Sequence, residues 1–339
     1  MNKTKALVAL TVMLGTAVTA GAQDNEEKAS PVNIHGTIRS KYEYQTQEDE
    51  GRFEVRNARI SVEGSLSRVI SYKAEIDLCD EGKIKMLDAF TRLKPVMGLQ
   101  FTVGQFRVPF TIDAHRSPHQ QYFANRSFIA KQVGNVRDVG ASVGYTLNAG
   151  FPIKLEAGIF NGSGLTNQKD FWTKSINFSA KAQLLLPHGF DITLSAQKIK
   201  PSVGVMMYDA GAYWHSKGWH IEAEYLFKHY AGNAFQNVHA FDSFASYDIR
   251  TGRGLVKCVT PLVRYDYMSD HSDGTLNSEG RLTVTDHQRS RLTGGVTISL
   301  KKPFVSDIRL NYEKYFYRND GVAHTSEKDK IVIEVMTRF

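Results

Sequence analysis

Apolar and polar residues alternate one for one through segment after segment of this chain, over runs of about ten positions. The last nine residues show the pattern. Ile331, Ile333, Val335, Thr337 and Phe339 fall on one parity, and Val332, Glu334, Met336 and Arg338 on the other. A period of two belongs to a strand with two unlike faces. Runs of about ten residues exceed an ordinary strand and suit a tilted strand that crosses a bilayer. The chain therefore reads as all-β, a transmembrane antiparallel β-barrel with a lumen.

Tracking the apolar parity from Ile34, Gly36 and Ile38 to Phe339 gives about sixteen strands, an even number in the range of outer-membrane barrels. The connections alternate in length. Short ones, rich in turn residues, fall at 67–68, 94–98, 148–150, 187–189, 216–218 and 301–303; long polar ones fall at 111–136, 161–174, 229–242 and 269–288. Short periplasmic turns and long external loops are the rule for such barrels. A soluble β-sandwich has no reason to keep that alternation. Tyr42, Tyr44, Tyr145, Trp214, Trp219, Tyr225, Phe227, Tyr265, Tyr267, Tyr312 and Phe339 sit near strand ends on the apolar parity, as interfacial girdles would.

The first residues read as a leader. Lys3 and Lys5 precede an apolar run from Ala6 to Val18, and Ala20-Gly21-Ala22 offers a small-residue cleavage site. Residues 1–22 are expected to be removed on export, leaving 23–339 as one outer-membrane barrel domain. Taking Lys3 and Lys5 from 42 basic residues leaves 40 against 35 acidic, a formal charge of +5. No dense basic tract accompanies it, so nucleic acid is not a partner; a lumen biased toward anions is compatible. Cys79 and Cys258 are too few for a disulfide scaffold and read as two free thiols at strand ends. Neither Cys nor His shows metal-ligand spacing, and no cofactor is expected.

If the apolar parity meets lipid, the other lines the channel. It carries Arg39, Arg59, Lys73, Lys154, Lys181, Arg264, Arg291 and Arg309, interleaved with Glu43, Glu75, Asp77, Asp88, Asp209, Glu222, Glu224, Asp266 and Glu313. Interleaved charges screen one another, so selectivity would rest on a local cluster at a constriction. The candidate is 111–136 with its flank, holding His115, Arg116, His119, Arg126, Lys131 and Arg137 against the single carboxylate Asp113. A connection this long needs a functional or packing reason. Two placements stay open: folded into the lumen, where guanidinium groups meet passing anions, or outside, facing solvent and lipopolysaccharide. Arg107 would point outward unless Gly104 or Pro109 breaks the register.

Several elements in fixed order carry a resemblance. Phe53-x-x-Arg56-x-Ala58-Arg59-x-x-x-x-Gly64 is followed by Asp88-Ala89 and by Gly104-Gln105-Phe106-x-x-Pro109-Phe110. Arg137-Asp138-x-Gly140, Gly158-x-x-Asn161-Gly162 and a final Arg338-Phe339 complete the set. Together they resemble the phosphate-selective porin O and P family. The resemblance implies a sixteen-stranded homotrimeric porin, its third external loop folded inward, with an arginine-lined path for phosphate or related oxyanions. Arg56 and Arg59 occupy the family's paired-arginine positions; Arg56 has lumen parity only if a bulge lies near Asn57. The chain departs from the family in its many lumen carboxylates.

The expected function is passive diffusion of small hydrophilic solutes, anions preferred, through a barrel embedded in outer-membrane lipid. The alternatives are a plugged barrel serving adhesion or structure, and an outer-membrane enzyme. His215, His220, His229 and His239 are available for the latter, but no Gly-x-Ser-x-Gly nucleophile elbow accompanies them.

Overall fold

A computed structural model describes residues 32–80, 82–132, 136–165, 168–252, 254–318 and 325–339. The expected leader lies outside the described residues. Sixteen antiparallel strands follow in chain order: β1 (Asn33–Gln45), β2 (Glu50–Ser65), β3 (Ile70–Asp80), β4 (Lys83–Leu93), β5 (Leu99–Arg107), β6 (Arg137–Asn148), β7 (Pro152–Phe160) and β8 (Asn177–Leu186). Then come β9 (Phe190–Ile199), β10 (Val205–Ser216), β11 (Trp219–Tyr230), β12 (Val238–Tyr247), β13 (Val256–Met268), β14 (Arg289–Leu300), β15 (Ser306–Tyr317) and β16 (Lys330–Arg338). A two-residue stub, Ile249–Arg250, extends β12 along β13. Each strand pairs with its neighbours in sequence, and β1 pairs with β16 as well as β2, so the sheet closes on itself. Closure leaves no unpaired edge in the hydrocarbon layer, where an unmet backbone group would cost several kcal/mol.

Alternation sorts the side chains as the sequence predicts. Ile38, Ile60, Val103, Leu194, Ile221, Val263, Leu310 and Ile333 stand exposed on the outer face, while Arg39, Asp77, Glu222, Asp266, Arg291 and Glu334 are buried on the inner one. The termini seal the seam. Gly36 and Phe339 exchange backbone hydrogen bonds of 2.9 and 3.1 Å. Cys79 and Cys258 are free thiols near the ends of β3 and β13.

Strands depart from the predicted bounds at 229–242. The connection there is short, because β11 runs to Tyr230 and β12 starts at Val238. In these ends the inward residues Leu226, Tyr230, Val238 and Ala240 are apolar and buried. The lumen is filled at that level, so the usual contrast between faces disappears and the strand signal with it.

Two bulges re-aim side chains near the lumen. Opposite Arg39 and Ser40 the register jumps from Asn57 to Val55, which leaves Arg56 as the extra residue and turns it inward beside Asn57. Between Glu75 and Ile76 it jumps from Asp88 to Met86, and Leu87 is buried as the extra residue. The backbone also bends at Gly104, whose φ is +130°. A Cβ at Gly104 would run into the backbone of Ala89 and Phe90. Beyond it, the Gln105 amide donates to the carbonyls of Met86 (2.6 Å) and Leu87 (2.8 Å), capping β4 where the two strands part. Pairing with β6 continues without a slip, yet Arg107 reaches inward.

Gly104→Ala is expected to destabilise the barrel by about 2 kcal/mol or more, from a disfavoured φ and a backbone clash together. The check is the temperature at which the folded band is lost in an unboiled-versus-boiled gel series; an unchanged midpoint would refute it.

Candidate functional site

The connection between β5 and β6, described at 108–132 and 136, folds into the barrel, and the wall grips it from opposite sides. The Val108 N–H donates to the Val136 carbonyl (3.0 Å), closing the base of the loop. The descending limb is held by its amides. Thr111 N–H donates to Ser195 Oγ on β9 (3.1 Å), and Ile112 and Asp113 N–H donate to the Glu224 carboxylate on β11 (2.5 and 3.2 Å). Lys181 on β8 donates to the Thr111 carbonyl (2.5 Å), and Ser179 Oγ donates to that of Pro109 (2.7 Å). Thr111 has a φ of +57°, costly for a β-branched residue and sustained by these contacts on both sides of its peptide.

The returning limb is held by its carbonyls. Arg309 donates to Gln121 O (2.6 Å), Arg39 to Ala124 O (2.7 Å), Arg264 to Asn125 O (3.0 Å) and Arg291 to Arg126 O (2.8 Å). Each of these guanidinium groups is backed by a wall carboxylate. Arg39 and Arg309 share Glu334, each at 2.5 Å; Arg264 and Arg291 share Asp266, each at 2.8 Å; Arg291 also lies 3.3 Å from Glu313. Phe128, Ile129 and Ala130, in the short helix α1 (Phe128–Gln132), pack with Val108, Phe110, Met207, Leu226, Met268 and Tyr315 in an apolar core inside the barrel. Arg264 stacks 4.3 Å over the Phe123 ring, and Arg289 and Arg291 lie 4.6 and 4.8 Å over Phe128.

Asp113 joins the two limbs, its Oδ2 accepting from Ser127 N–H (3.0 Å) and Oγ (2.8 Å). Burial alone would raise its carboxyl, but Arg126 and Arg116 hold it below the ordinary range. Arg126 donates to the carbonyls of Asp113 (2.6 Å) and Arg116 (2.9 Å), and Arg107 to those of Ala114 (3.0 Å) and Arg116 (3.1 Å). Burial pulls Arg126 down to about 10; Asp113 opposes this, while Arg59, Arg39 and Arg56 reinforce it. Burial, with Lys181, Arg107, Arg137 and Arg126 beside it, keeps His115 neutral, well below its ordinary value.

The predicted channel-lining cations thus divide. Arg264, Arg291, Arg309 and Lys181 are loop anchors, and Arg126 braces the loop from within. Arg116 pairs with Glu222 and lies 3.6 Å from Asp113, its guanidinium 5.2 Å over the Tyr122 ring. Lys131 pairs with Glu327 toward the external end (2.8 Å). On the β2–β6 wall, Arg56 pairs with Asp80 (2.8 Å), Arg59 with Asp77 (2.8 Å), Lys73 with Glu75 (3.0 Å), and Arg137 with Asp88 (2.6 Å) and Glu75 (3.2 Å). Lys154 is exposed on the far wall. Arg56, Arg59 and Arg126 come together, with Arg137 next to Arg59. Arg39 and Arg107 complete that cluster. Parity places Arg39 among the channel-lining residues and points Arg107 outward unless the register breaks, and it does not say which cation reaches the loop.

Beneath the loop opens a vestibule. One compartment of about 910 Å³ is lined by His115, Arg116, Gln120, Lys154, Lys181 and His220. Another of about 580 Å³ is lined by Lys73, Arg92, Arg107, His115 and Gln120. A third of about 550 Å³ is lined by Arg59, Lys73, His119 and Arg338. His115 and Gln120 border the first two and Lys73 the last two, so the three lie side by side around the loop tip. Among the described residues, Arg59 Nη1 and Arg107 Nη2 are buried donors without a hydrogen-bond partner, Arg59 Nη1 lying 3.5 Å from Glu75.

The family model described as phosphate-selective porin O and P matches residues 32–184. That stretch, a little under half of the chain, is similar to the family. The match contains the Arg56/Arg59 pair, the Gly104–Phe110 element and the whole inward loop. No curated protein matches the sequence. Among solved structures, the outer-membrane channel DcaP of Acinetobacter baumannii superposes with a TM-score of 0.63 at 12% identity, over 94% of this chain and 100% of that one. An anion-selective porin from Comamonas acidovorans gives 0.63 at 11% identity, over 91% and 100%. The trimer form of OmpT from Vibrio cholerae gives 0.59 at 11%, over 92% and 99%. At these identities the likeness is one of fold.

Removing two anchors should free the loop. Arg264→Met with Arg309→Met is expected to raise single-channel conductance severalfold and make it noisier, as a buried network loses two of its members. Planar-bilayer recordings check this, and an unchanged conductance would show that the remaining contacts suffice.

Proposed function

We propose that this porin is a water-filled outer-membrane channel for passive diffusion of small hydrophilic solutes, with a preference for anions, phosphate and related oxyanions among them. The observation that carries the preference is the lining of the vestibule, where Arg59, Lys73, Arg107, Arg116, Lys154 and Lys181, with further cations at its mouth, outnumber the carboxylates Glu63, Glu75, Asp88, Glu156 and Asp248. Most carboxylates of the opposite wall, Glu222, Glu224 and Asp242, are buried behind the loop and its side chains, away from the vestibule. Water in the remaining passage therefore faces the basic side more than the acidic one, and an anion there meets side chains such as Lys73 and Lys154.

The pairing of every arginine on the β2 wall with a carboxylate favours weak, transient binding over tight capture. A homotrimer is part of the same reading, supported by the trimer form of the similar OmpT. So is export through a cleaved leader at residues 1–22. Fold and family match a channel rather than an enzyme. The second reading, a plugged structural barrel, draws on the double grip on the loop and the apolar core within the lumen.

Reversal potential under a potassium chloride gradient separates these readings. Wild-type protein should conduct with a chloride-favouring potential, and Arg59→Gln with Lys73→Gln should lower the chloride-to-potassium permeability ratio by roughly twofold or more. A potassium-favouring wild type would refute the anion preference, and a silent barrel would establish the plug.

A further inference from the structure

The two ends of the barrel differ in charge. Six of the seven periplasmic connections, at 66–69, 94–98, 149–151, 187–189, 217–218 and 301–305, hold Arg68, Lys94, Lys217, Lys301 and Lys302 and no carboxylate; the seventh, 248–255, holds Asp248 with Arg250 and Arg253. Most external connections hold acids, Glu48, Asp170, Asp273 and Glu279 among them, while 200–204 and 231–237 hold none. The periplasmic cations are of two kinds. Lys217, Arg250 and Arg338 line the mouth of the vestibule. Lys94, Lys257, Lys301 and Lys302 do not line it, and Lys257 shares the outward parity of Val259 and Val263.

These outer cations are joined in pairs of neighbouring segments. Lys94 N–H donates to the Val69 carbonyl (2.7 Å), tying the β4–β5 turn to the β2–β3 turn, and Lys301 N–H donates to that of Leu255 (2.8 Å) beside Lys257. Both patches carry large apolar side chains standing free: Leu66, Val96 and a 98%-exposed Met97 in one, Leu255 and Phe304 in the other. Among the described residues Lys94, Lys257, Lys301 and Lys302 form no ion pair. Water-facing turns have no use for exposed Met and Phe, whereas apolar side chains beside lysines are the composition of segments lying at a headgroup layer. Phe190, Trp219, Tyr247 and Phe339 stand exposed at the same end and continue the apolar surface into the membrane.

We propose that the periplasmic rim binds anionic phospholipid of the inner leaflet. One headgroup phosphate lies against Lys94 with its acyl chains on Leu66 and Met97, and another lies against Lys257, Lys301 and Lys302 with its chains on Leu255 and Phe304. The apolar neighbours select lipid over a soluble polyanion, which would gain nothing from them. The surface is separate from the passage and independent of which solute crosses.

The test reconstitutes the full barrel in mixed phosphatidylethanolamine–phosphatidylglycerol vesicles, re-extracts it in mild detergent and counts retained lipid per barrel. Wild type should retain phosphatidylglycerol over phosphatidylethanolamine. In Lys94→Gln/Lys257→Gln/Lys301→Gln/Lys302→Gln the retained phosphatidylglycerol should fall by roughly tenfold, with single-channel conductance unchanged as proof of folding. Lys169→Gln/Lys174→Gln/Lys200→Gln, at the external end, should behave as wild type. No enrichment in wild type, or equal retention in the rim variant, would overturn the proposal. So would a rim variant that loses its oligomer while its phosphatidylglycerol stays, because the patch would then be a subunit contact.

Discussion

Four loop carbonyls, those of Gln121, Ala124, Asn125 and Arg126, each meet a wall guanidinium that is itself held by a carboxylate. The architecture of the lumen depends on this arrangement. A loop inside a barrel exposes backbone groups that water would otherwise satisfy, and a buried group left unmet costs about 1–3 kcal/mol. The wall supplies donors for the returning limb, and Glu224 and Ser195 supply acceptors for the descending one. The planar fork of arginine suits the task, since one group can serve a carboxylate and a carbonyl together. Lysine, a point charge on a mobile stem, would not hold both directions.

This use of charge changes what the lumen's cations mean. Arg264, Arg291 and Arg309 look like ligands for a passing anion when only their parity is known. Their hydrogen bonds make them part of the scaffold that shapes the passage. The abundant carboxylates, which set this chain apart from the family it resembles, are the other half of that scaffold: Glu334 and Asp266 each organise two arginines. The charges left to act on solutes stand where the loop turns toward β1–β6.

Most of the barrel was legible in the sequence because lipid outside and polar groups inside impose opposite demands on alternate residues. Legibility failed where that contrast failed. At Leu226, Tyr230, Val238 and Ala240 the inner face packs against the loop's apolar core, so both faces are apolar and the strand ends read as a loop. The inward turn of Arg56 needs a bulge, and a bulge is a relation between two strands. The placement of 111–136 stayed open for the same reason: its basic residues suit solvent and lumen alike, and only Glu224, Ser195 and the four arginines decide between them. The Gly104–Phe110 element was visible as a motif. Its physical content, a bend, a cap on β4 and an apolar wedge, required the neighbours.

The loop's two anchorages have a mechanical consequence. Ser195 lies on β9 and Arg39 on β1, eight strands apart whichever way the circle is counted, so the loop ties diametrically opposed staves. A hollow cylinder flattens easily under uneven sideways load; one braced across its diameter does not. Lateral pressure from a crowded or thickened bilayer would be borne by that brace, and the cross-section available to solutes would stay the same while the surrounding lipid changes.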